Sequence, residues 1–192
     1  WDVATQSYIF QDKYFGRKLK AGREFQDALQ RFLFDGVEYA SVLRHIPTIL
    51  QKLSELEVLI KDLRGYRFYA ASLLMFYDGG VDDTDTPTAK QSKVKKREID
   101  FKIADFANCV TAENGLLAVK EKACPPQHPK EPDKGFLRGL KSLRKYFIEI
   151  QKEVIAFERR RSVEGEEVKS IRTNGCGLTD DPLDDDLGEV SY

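Results

Sequence analysis

Apolar residues recur at helical spacing in three parts of this chain, and this periodicity limits the possible folds more than any other feature. Residues 22–34, 43–63 and 134–158 each carry apolar side chains three or four positions apart, as one buried helix face requires. Gly65 ends the second segment. Pro47 either kinks that helix or lies in the first turn of its main part. The sequence therefore predicts three helices that each bury one side.

Two apolar segments between the second and third helices predict an antiparallel pair of strands. Residues 66–77 are almost all apolar or aromatic, and residues 98–106 alternate in part. Residues 78–97 have little to bury, so we expect a disordered loop at the tip of the hairpin. Tyr8-Ile9-Phe10 predicts a further short strand, followed by a basic, aromatic turn over 12–20. Strands grouped with separate helices indicate an α+β fold.

The length of 192 residues is typical of one domain with a sizeable core. We expect that domain over residues 1–158 and a disordered acidic tail over 159–192, since 180–189 holds six acidic side chains. The chain begins at Trp1 without a signal peptide or a methionine. We therefore expect a fragment of a longer protein.

Composition argues against several functional classes. The net charge of −1 gives no general reason to expect nucleic acid or an anionic membrane as a partner, and no apolar run reaches the ~18–20 residues of a membrane span. Three scattered cysteines and two histidines argue against a zinc site or a disulfide framework. We expect a reducing, cytoplasmic location. The basic run Lys90–Arg97 is typical either of a nuclear-import patch or of a solvated loop, so a nuclear location stays open.

Asp105 is the candidate metal ligand. It ends an apolar strand, and a carboxylate on such a rigid element suits Mg²⁺ bound to the phosphates of a nucleotide. An ordinary turn or helix-capping aspartate is the commoner explanation of a residue of this type and position, because aspartate is frequent in turns. The residues alone leave both interpretations open.

A cluster of cations near the start of the chain is the candidate anion-binding site. Lys13, Arg17, Lys18, Lys20 and Arg23 lie within eleven residues, beside two aromatic residues. Guanidinium groups bind phosphates through paired hydrogen bonds, and lysines add point charges. A solvated helix entry is the alternative interpretation, because charge runs usually face water.

Three stretches, in this order, resemble motifs of the inositol polyphosphate kinase family. Ala71–Leu74, preceded by Arg67-Phe68-Tyr69, resembles the Ser-Ser-Leu-Leu strand of that family. Ile103–Asn108 resembles its Ile-Asp-Phe-Ala motif, and Pro132–Leu143 resembles its Asp-x-Gly-aromatic-x-x-Gly-Leu-x-x-Leu helix start. Three stretches are similar to the fungal inositol hexakisphosphate kinases in particular, namely Asp12–Arg17, Ile103–Glu113 and Cys124-Pro125-Pro126.

This resemblance covers roughly residues 1–158 and implies the C-terminal lobe of a protein-kinase-like, two-lobe fold. It implies ATP-dependent phosphorylation of inositol hexakisphosphate to a diphosphoinositol pentakisphosphate, with Mg²⁺ and with a missing N-terminal lobe. Asp105 would hold Mg²⁺ and the nucleotide, Ser72 would line the catalytic site, and the basic cluster would lie near the polyphosphate.

Two departures from the family pattern limit this interpretation. Ala71 replaces the first serine of Ser-Ser-Leu-Leu, and the hallmark Pro-x-x-x-Asp-x-Lys-x-Gly does not occur. Asp100-Phe101-Lys102 does not substitute for it, because the proline and glycine are absent at the required spacing. We therefore expect the chain alone to be inactive, and a non-catalytic fragment that binds polyphosphate or protein is the alternative.

Overall fold

A computed structural model describes residues 1–78, 99–111 and 130–174, with side chains up to Glu164. The loop expected over 78–97 lies outside the described residues apart from Asp78. The chain divides into two units, Trp1–Ala156 and Phe157–Tyr192. The elements in chain order are the helices α1 (Lys13–Lys18) and α2 (Arg23–Leu33), a 3-10 helix (Tyr39–Leu43), α3 (Ile46–Asp62), the strands β1 (Ser72–Phe76) and β2 (Asp100–Ala104), and α4 (Lys134–Asn174).

The first two helices differ in how well the sequence predicted them. Helix α2 confirms the amphipathic helix expected over 22–34. Helix α1 occupies the segment that we expected to be an irregular turn. It begins because the carboxylate of Asp12 accepts a hydrogen bond from the Phe15 amide at 2.8 Å, which satisfies an otherwise unpaired donor of the first turn.

Helix α3 begins three residues later than predicted, after the 3-10 helix that ends at Leu43. Pro47 lies in the first turn of α3, where its missing N–H costs no hydrogen bond. This confirms the second of the two positions considered for the proline. After the helix, Gly65 has a φ of 81°, a left-handed conformation that glycine adopts without a steric penalty.

Strands β1 and β2 pair antiparallel and form a two-stranded ribbon, as predicted. The register joins Ser72 to Ala104 at one end and Phe76 to Asp100 at the other. Residues 66–71, expected to be part of the first strand, are irregular instead. Their apolar character had indicated a strand, but a left-handed residue, Ala70 (φ 57°), interrupts the extended backbone.

The predicted strand at Tyr8-Ile9-Phe10 is wrong. These residues have no regular structure and are 80%, 58% and 83% exposed. A strand needs a neighbour with which to exchange hydrogen bonds, and the nearby pairing instead closes a small loop between Asp2 and Ser7. The Val3 amide then donates to the carbonyl of Asp35 at 2.8 Å, which fixes this loop on the end of α2.

Helix α4 is longer than predicted: it spans 41 residues and ends at Asn174, not near 158. The tail that we expected to be disordered from residue 159 is therefore helical over 159–174, and residues 175–192 lie outside the described part. This segment is rich in Glu, Arg and Lys, which have high helix propensity and extend a helix that packing has already nucleated. Lack of apolar periodicity therefore does not prevent this segment from being helical.

The core lies where α2, α3 and the first six turns of α4 meet, and one face of the ribbon covers it. Leu73, Met75 and Phe101 pack from the ribbon against this core. No helix in the described part of the chain is both long and apolar enough to cross a membrane. The buried apolar residues that form this core cluster are Leu33, Val42, Ile46, Ile49, Leu53, Ile60, Ile99, Leu137, Leu140, Phe147, Ile150 and Val154.

Candidate functional site

Ser72 and Asp105 lie at the same end of the ribbon. Ser72 is the first residue of β1 and pairs with Ala104, the last residue of β2, so Asp105 follows directly after the partner of Ser72. Directly paired residues on antiparallel strands have Cα atoms ~4.5–5.5 Å apart. Both side chains are exposed. The structure therefore brings together the two residues that the sequence assigned to the catalytic and metal sites.

Asp105 has a left-handed backbone conformation, with φ at 68°. Side chains other than glycine adopt this conformation at a cost of ~1–2 kcal/mol, although aspartate tolerates it better than most. Such strain is concentrated at functional sites, where the surrounding structure maintains it. Gln6 and Ala70 share this conformation, with φ at 50° and 57°, so it does not by itself distinguish a functional residue from an ordinary turn residue.

A second backbone pairing closes the segment that contains Asp105. Arg67 and Val110 exchange both of their backbone hydrogen bonds, each at 2.9 Å. Between this pair and the Ser72–Ala104 pair, the four residues 68–71 lie opposite the five residues 105–109. Both segments leave the ladder as turns, in which the Ala71 amide donates to the Phe68 carbonyl at 3.2 Å and the Cys109 amide donates to the Phe106 carbonyl at 3.0 Å, so the two backbones bulge apart here. We call residues 68–71 and 105–109 the bulge.

A single carboxylate fits Mg²⁺ only as part of a shared site. In proteins Mg²⁺ is commonly bound by one or two carboxylates together with substrate phosphates and water. Asp105 is exposed and offers such a ligand, but the described ranges contain no group of three or more His, Cys, Asp and Glu residues that could hold a metal ion by themselves. The arrangement suits a cation that arrives with a phosphate ligand.

The cations of α1 surround an aromatic ring. Lys13 Nζ lies 5.3 Å from the centre of the Tyr14 ring, and the Arg17 guanidinium carbon lies 5.8 Å from it. Lys18 and Lys20 are exposed. Exposed cation–π contacts of this kind contribute only ~0.5–1 kcal/mol, so the charges stay available to an anion.

Arg23 differs from the other four cations because it already has two carboxylate partners. Its Nη1 lies 2.9 Å from Glu153 on α4, and its Nε lies 2.7 Å from Asp27. Glu153, and then Asp27, raise the pKa of the Arg23 guanidinium. The Gly22 amide also donates to the Tyr146 hydroxyl at 2.8 Å. These bonds attach the start of α2 to α4, so the geometry gives Arg23 a structural role.

The α1 cations do not lie beside Asp105. Phe15 of α1 lines a cavity of about 460 Å³ together with Phe76 and Tyr77, which lie at and just beyond the other end of β1. Four residue steps of a strand separate Ser72 from Phe76, about 13 Å. The cation cluster and Asp105 are therefore near opposite ends of the ribbon, and the assignment of the cations to the substrate stays a prediction.

Two buried polar residues beside the bulge were not identified as site residues from the sequence. Arg67 and Asp133 are 6% and 7% exposed. Asp133 precedes α4 and accepts a hydrogen bond from the Phe136 amide at 2.9 Å. The signal for this cap was in the sequence, because aspartate directly before a helical apolar pattern is a strong N-cap residue. The sequence contained no sign of its second partner, the Phe68 amide.

Comparison with known proteins identifies the family. The family model described as inositol polyphosphate kinase matches residues 1–148 of the 192. The chain belongs to the inositol polyphosphate kinase family. Both Ser72 and Asp105 lie within the part that matches this kinase family, and so does the start of α4.

Individual members of the inositol polyphosphate kinase family are similar over most of this chain. An uncharacterised inositol polyphosphate kinase of Schizosaccharomyces pombe is 50% identical over 157 residues, covering 80% of this chain and 16% of the relative. Inositol hexakisphosphate kinase 1 of Saccharomyces cerevisiae is 43% identical over 141 residues, 73% of this chain and 13% of the relative. Inositol hexakisphosphate kinase 3 of Mus musculus is 30% identical over 147 residues, 74% of this chain and 34% of the relative. The chain thus spans about a third or less of each of these proteins.

Proposed function

We propose that the protein to which this chain belongs transfers the γ-phosphoryl group of ATP to inositol hexakisphosphate and so makes a diphosphoinositol pentakisphosphate. Family membership supports a kinase of inositol phosphates. Two of the relatives are named as kinases of the hexakisphosphate, which supports this choice of acceptor. The observation within the chain that carries the proposal is the exposed, left-handed Asp105 beside Ser72.

In this proposal the chain forms the C-terminal lobe of a two-lobe, protein-kinase-like enzyme. The ribbon, packed by helices on one face, is the part of that lobe that faces the nucleotide. Its other face carries Ser72, Leu74 and Phe76, all exposed among the described residues. An apolar surface of this kind is suited to contact with a ligand or with another part of the protein.

Asp105 is the residue that would hold Mg²⁺, bound jointly with the nucleotide's phosphates. The bound cation neutralises charge that develops on the phosphoryl oxygens during transfer. The chain itself would orient the Asp105 carboxylate. The backbone of Asp105 is left-handed, and it lies between the Ser72–Ala104 pair and the Arg67–Val110 pair. These constraints hold the carboxylate at one place on a rigid element. Positioning is a large part of catalysis in phosphoryl transfer.

The cations of α1 and of the following loop would bind the acceptor. An inositol carrying six phosphates has a dense negative charge and needs several cationic partners. Lys13, Arg17, Lys18 and Lys20 are exposed, and within the described part of the chain none of their side chains pairs with a carboxylate. Arg23 would contribute less, because Glu153 and Asp27 already neutralise it.

A second candidate function is binding of polyphosphate without transfer. It is favoured by one observation: the 192 residues do not contain the Pro-x-x-x-Asp-x-Lys-x-Gly hallmark of the family. The isolated chain would then bind inositol hexakisphosphate through its cations and make no pyrophosphate. Calorimetry with the hexakisphosphate and a product assay with Mg-ATP separate the two functions.

A chimera tests the proposed role of the chain directly. Residues 1–148 replace the matched region of the Saccharomyces cerevisiae relative, and the diphosphoinositol product is measured. We expect the chimera to be active and Asp105→Asn to lower its turnover about a hundredfold or more, because metal-assisted charge stabilisation contributes several kcal/mol. Asp62→Asn, at the exposed end of α3, is the matched control. An active Asp105→Asn chimera at saturating Mg-ATP would refute the assignment.

A further inference from the structure

We infer that Asp133 is a positioning residue for the bulge, an inference that rests on the role proposed for Asp105. Its carboxylate binds two elements at once. Oδ1 accepts from the Phe136 amide in the first turn of α4 at 2.9 Å, and Oδ2 accepts from the Phe68 amide in the bulge at 2.9 Å. One side chain therefore fixes the distance between the helix and the loop that leads into Ser72.

The surroundings leave Asp133 little freedom. The residue is 7% exposed, and a Cβ atom at Gly135 would lie 3.3 Å from Oδ1, closer than most such contacts. The rings of Phe68 and Phe136, whose amides the carboxylate holds, pack with centroids 5.1 Å apart. Buried carboxylates are costly unless their oxygens are hydrogen-bonded. The hydrogen bonds and the packing around Asp133 therefore hold its carboxylate in one position.

Arg67 joins the same segment to the chain just before α4. Its Nη1 donates to the carbonyl of Glu131 at 2.8 Å, and the Gly65 amide donates to that carbonyl at 3.2 Å. Hydrogen bonds from Gly65, Arg67 and Phe68 therefore attach this segment to residues 131–133, and among them the bond from Phe68 to the Asp133 side chain lies nearest to Ser72 along the chain.

These hydrogen bonds influence the conformation of Asp105 through the backbone of Arg67. Arg67 is adjacent to Phe68 and exchanges two hydrogen bonds with Val110, which is 2% exposed. Val110 directly follows the five-residue side of the bulge, which begins at Asp105. Loss of the hydrogen bond between the Phe68 amide and Asp133 therefore loosens the adjacent backbone of Arg67. The pairing of Arg67 with Val110 is weakened in turn, and this pairing keeps Asp105 in its left-handed conformation.

Substitution by serine separates the two roles of Asp133. In Asp133→Ser the hydroxyl still caps α4, since serine is a good N-cap residue, but one short side chain cannot also reach the Phe68 amide. Asp12→Ser makes the same change at the exposed cap of α1 and is the control. Hydrogen exchange of backbone amides is followed by NMR in the 192-residue chain.

We expect Asp133→Ser to accelerate exchange of the Val110 and Cys109 amides about tenfold, the factor that corresponds to about 1.4 kcal/mol. Exchange at Phe147 and Ile150 in the core should stay unchanged, and Asp12→Ser should leave Val110 unchanged. Equal acceleration in bulge and core would mean a general loss of stability and would overturn the inference. An unaltered Val110 amide in Asp133→Ser would overturn it as well.

Mn²⁺, a paramagnetic substitute for Mg²⁺, tests the link to Asp105. We expect Mn²⁺ added together with ATP to broaden the Asp105 and Phe106 amide signals of the unchanged chain, Asp133→Ser to weaken this effect about tenfold, and Asp105→Asn to abolish it. Broadening that is equally strong in Asp133→Ser would overturn the inference. If the unchanged chain shows no broadening with Mn²⁺ and ATP, the proposed metal role of Asp105 fails, while the exchange experiment still decides whether Asp133 holds the bulge.

Discussion

Arg23 Nη1 donates to both carboxylate oxygens of Glu153, at 2.9 and 3.0 Å. The bond connects the first turn of α2 with α4 and uses the guanidinium that the sequence had assigned to the substrate. A cation with two carboxylate partners attracts a phosphate less than an unpaired one does, because the net charge at that place is no longer positive. This relationship separates Arg23 from the other four cations.

We expect Arg17→Met to weaken binding of inositol hexakisphosphate about tenfold, since a charge-assisted hydrogen bond contributes ~1.5–3 kcal/mol. Arg23→Met should change affinity by less than about twofold and lower the melting temperature instead. Calorimetry at two salt concentrations and thermal unfolding distinguish the two effects. Equal losses of affinity in both variants would show that Arg23 contacts the anion despite Glu153.

The stability of the chain should depend on Asp100 in a defined pH range. Hydrogen bonds from Lys52 at 3.0 Å, from the Phe101 amide and from Lys102 lower the pKa of Asp100 from 3.8 to about 2. The folded state therefore binds fewer protons than the unfolded state between these values, so the stabilisation is complete above about pH 4 and is lost as pH falls towards 2.

The matching experiment compares Asp100→Asn with the unchanged chain by thermal unfolding at several pH values. The variant should melt at a lower temperature at pH 7, and the difference should shrink below pH 4 and under high salt. The carboxylate is partly exposed, so solvent screening keeps the effect small. A difference that stays constant from pH 7 to pH 2.5 would contradict the role of its charge.

Backbone strain predicts how residues 70 and 105 respond to glycine. Both have left-handed φ angles, 57° at Ala70 and 68° at Asp105. Ala70→Gly should stabilise the chain by about 0.5–1 kcal/mol, because relief of strain outweighs the entropy that glycine adds to the unfolded state. Asp105→Ala should destabilise it by about 1 kcal/mol, whereas Asp105→Gly should stay within about 0.5 kcal/mol of the unchanged chain. Urea unfolding measures all three, and a more stable Asp105→Ala would disprove the strain.

Phe147 tests whether α4 completes the core. Its side chain is 0% exposed within the apolar cluster. We expect Phe147→Ala to cost about 3–5 kcal/mol of unfolding free energy through lost burial and a residual cavity. Val58, which is 60% exposed on α3, is the control, and Val58→Ala should cost less than about 0.5 kcal/mol. A small loss at Phe147 would mean that α4 is not essential to this core.

Periodicity predicted the parts of the fold in which packing follows local sequence. Ile49, Leu53 and Ile60 form one side of α3 and are all buried, as the helical spacing indicated. The apolar runs around Leu73 and Phe101 likewise predicted the antiparallel ribbon. In these segments the core-facing apolar side chains pack against many shared neighbours, so the local pattern is enough to predict the element.

Where a single contact decides the structure, the sequence predicted less. Tyr8-Ile9-Phe10 has strand-like composition, but no pairing partner lies among the described residues, and composition cannot report a missing neighbour. For the candidate site, the sequence supplied Ser72 and Asp105 through family motifs. It did not indicate that Asp133 holds the Phe68 amide, because this bond joins residues 65 positions apart.

The unequal lengths of the two sides of the bulge have a consequence for how this family tolerates insertions and deletions. Pairing of β1 with β2 ends at Phe76 and Asp100, so the length of the connection beyond them does not alter the position of Asp105. Lengthening such a connection costs only ~0.6 kcal/mol per doubling of its length. Removal of one residue between Asp105 and Val110 would instead change which residue lies opposite Arg67. Insertions and deletions should therefore be tolerated beyond the Phe76–Asp100 end of the ribbon and selected against beyond its Ser72–Ala104 end.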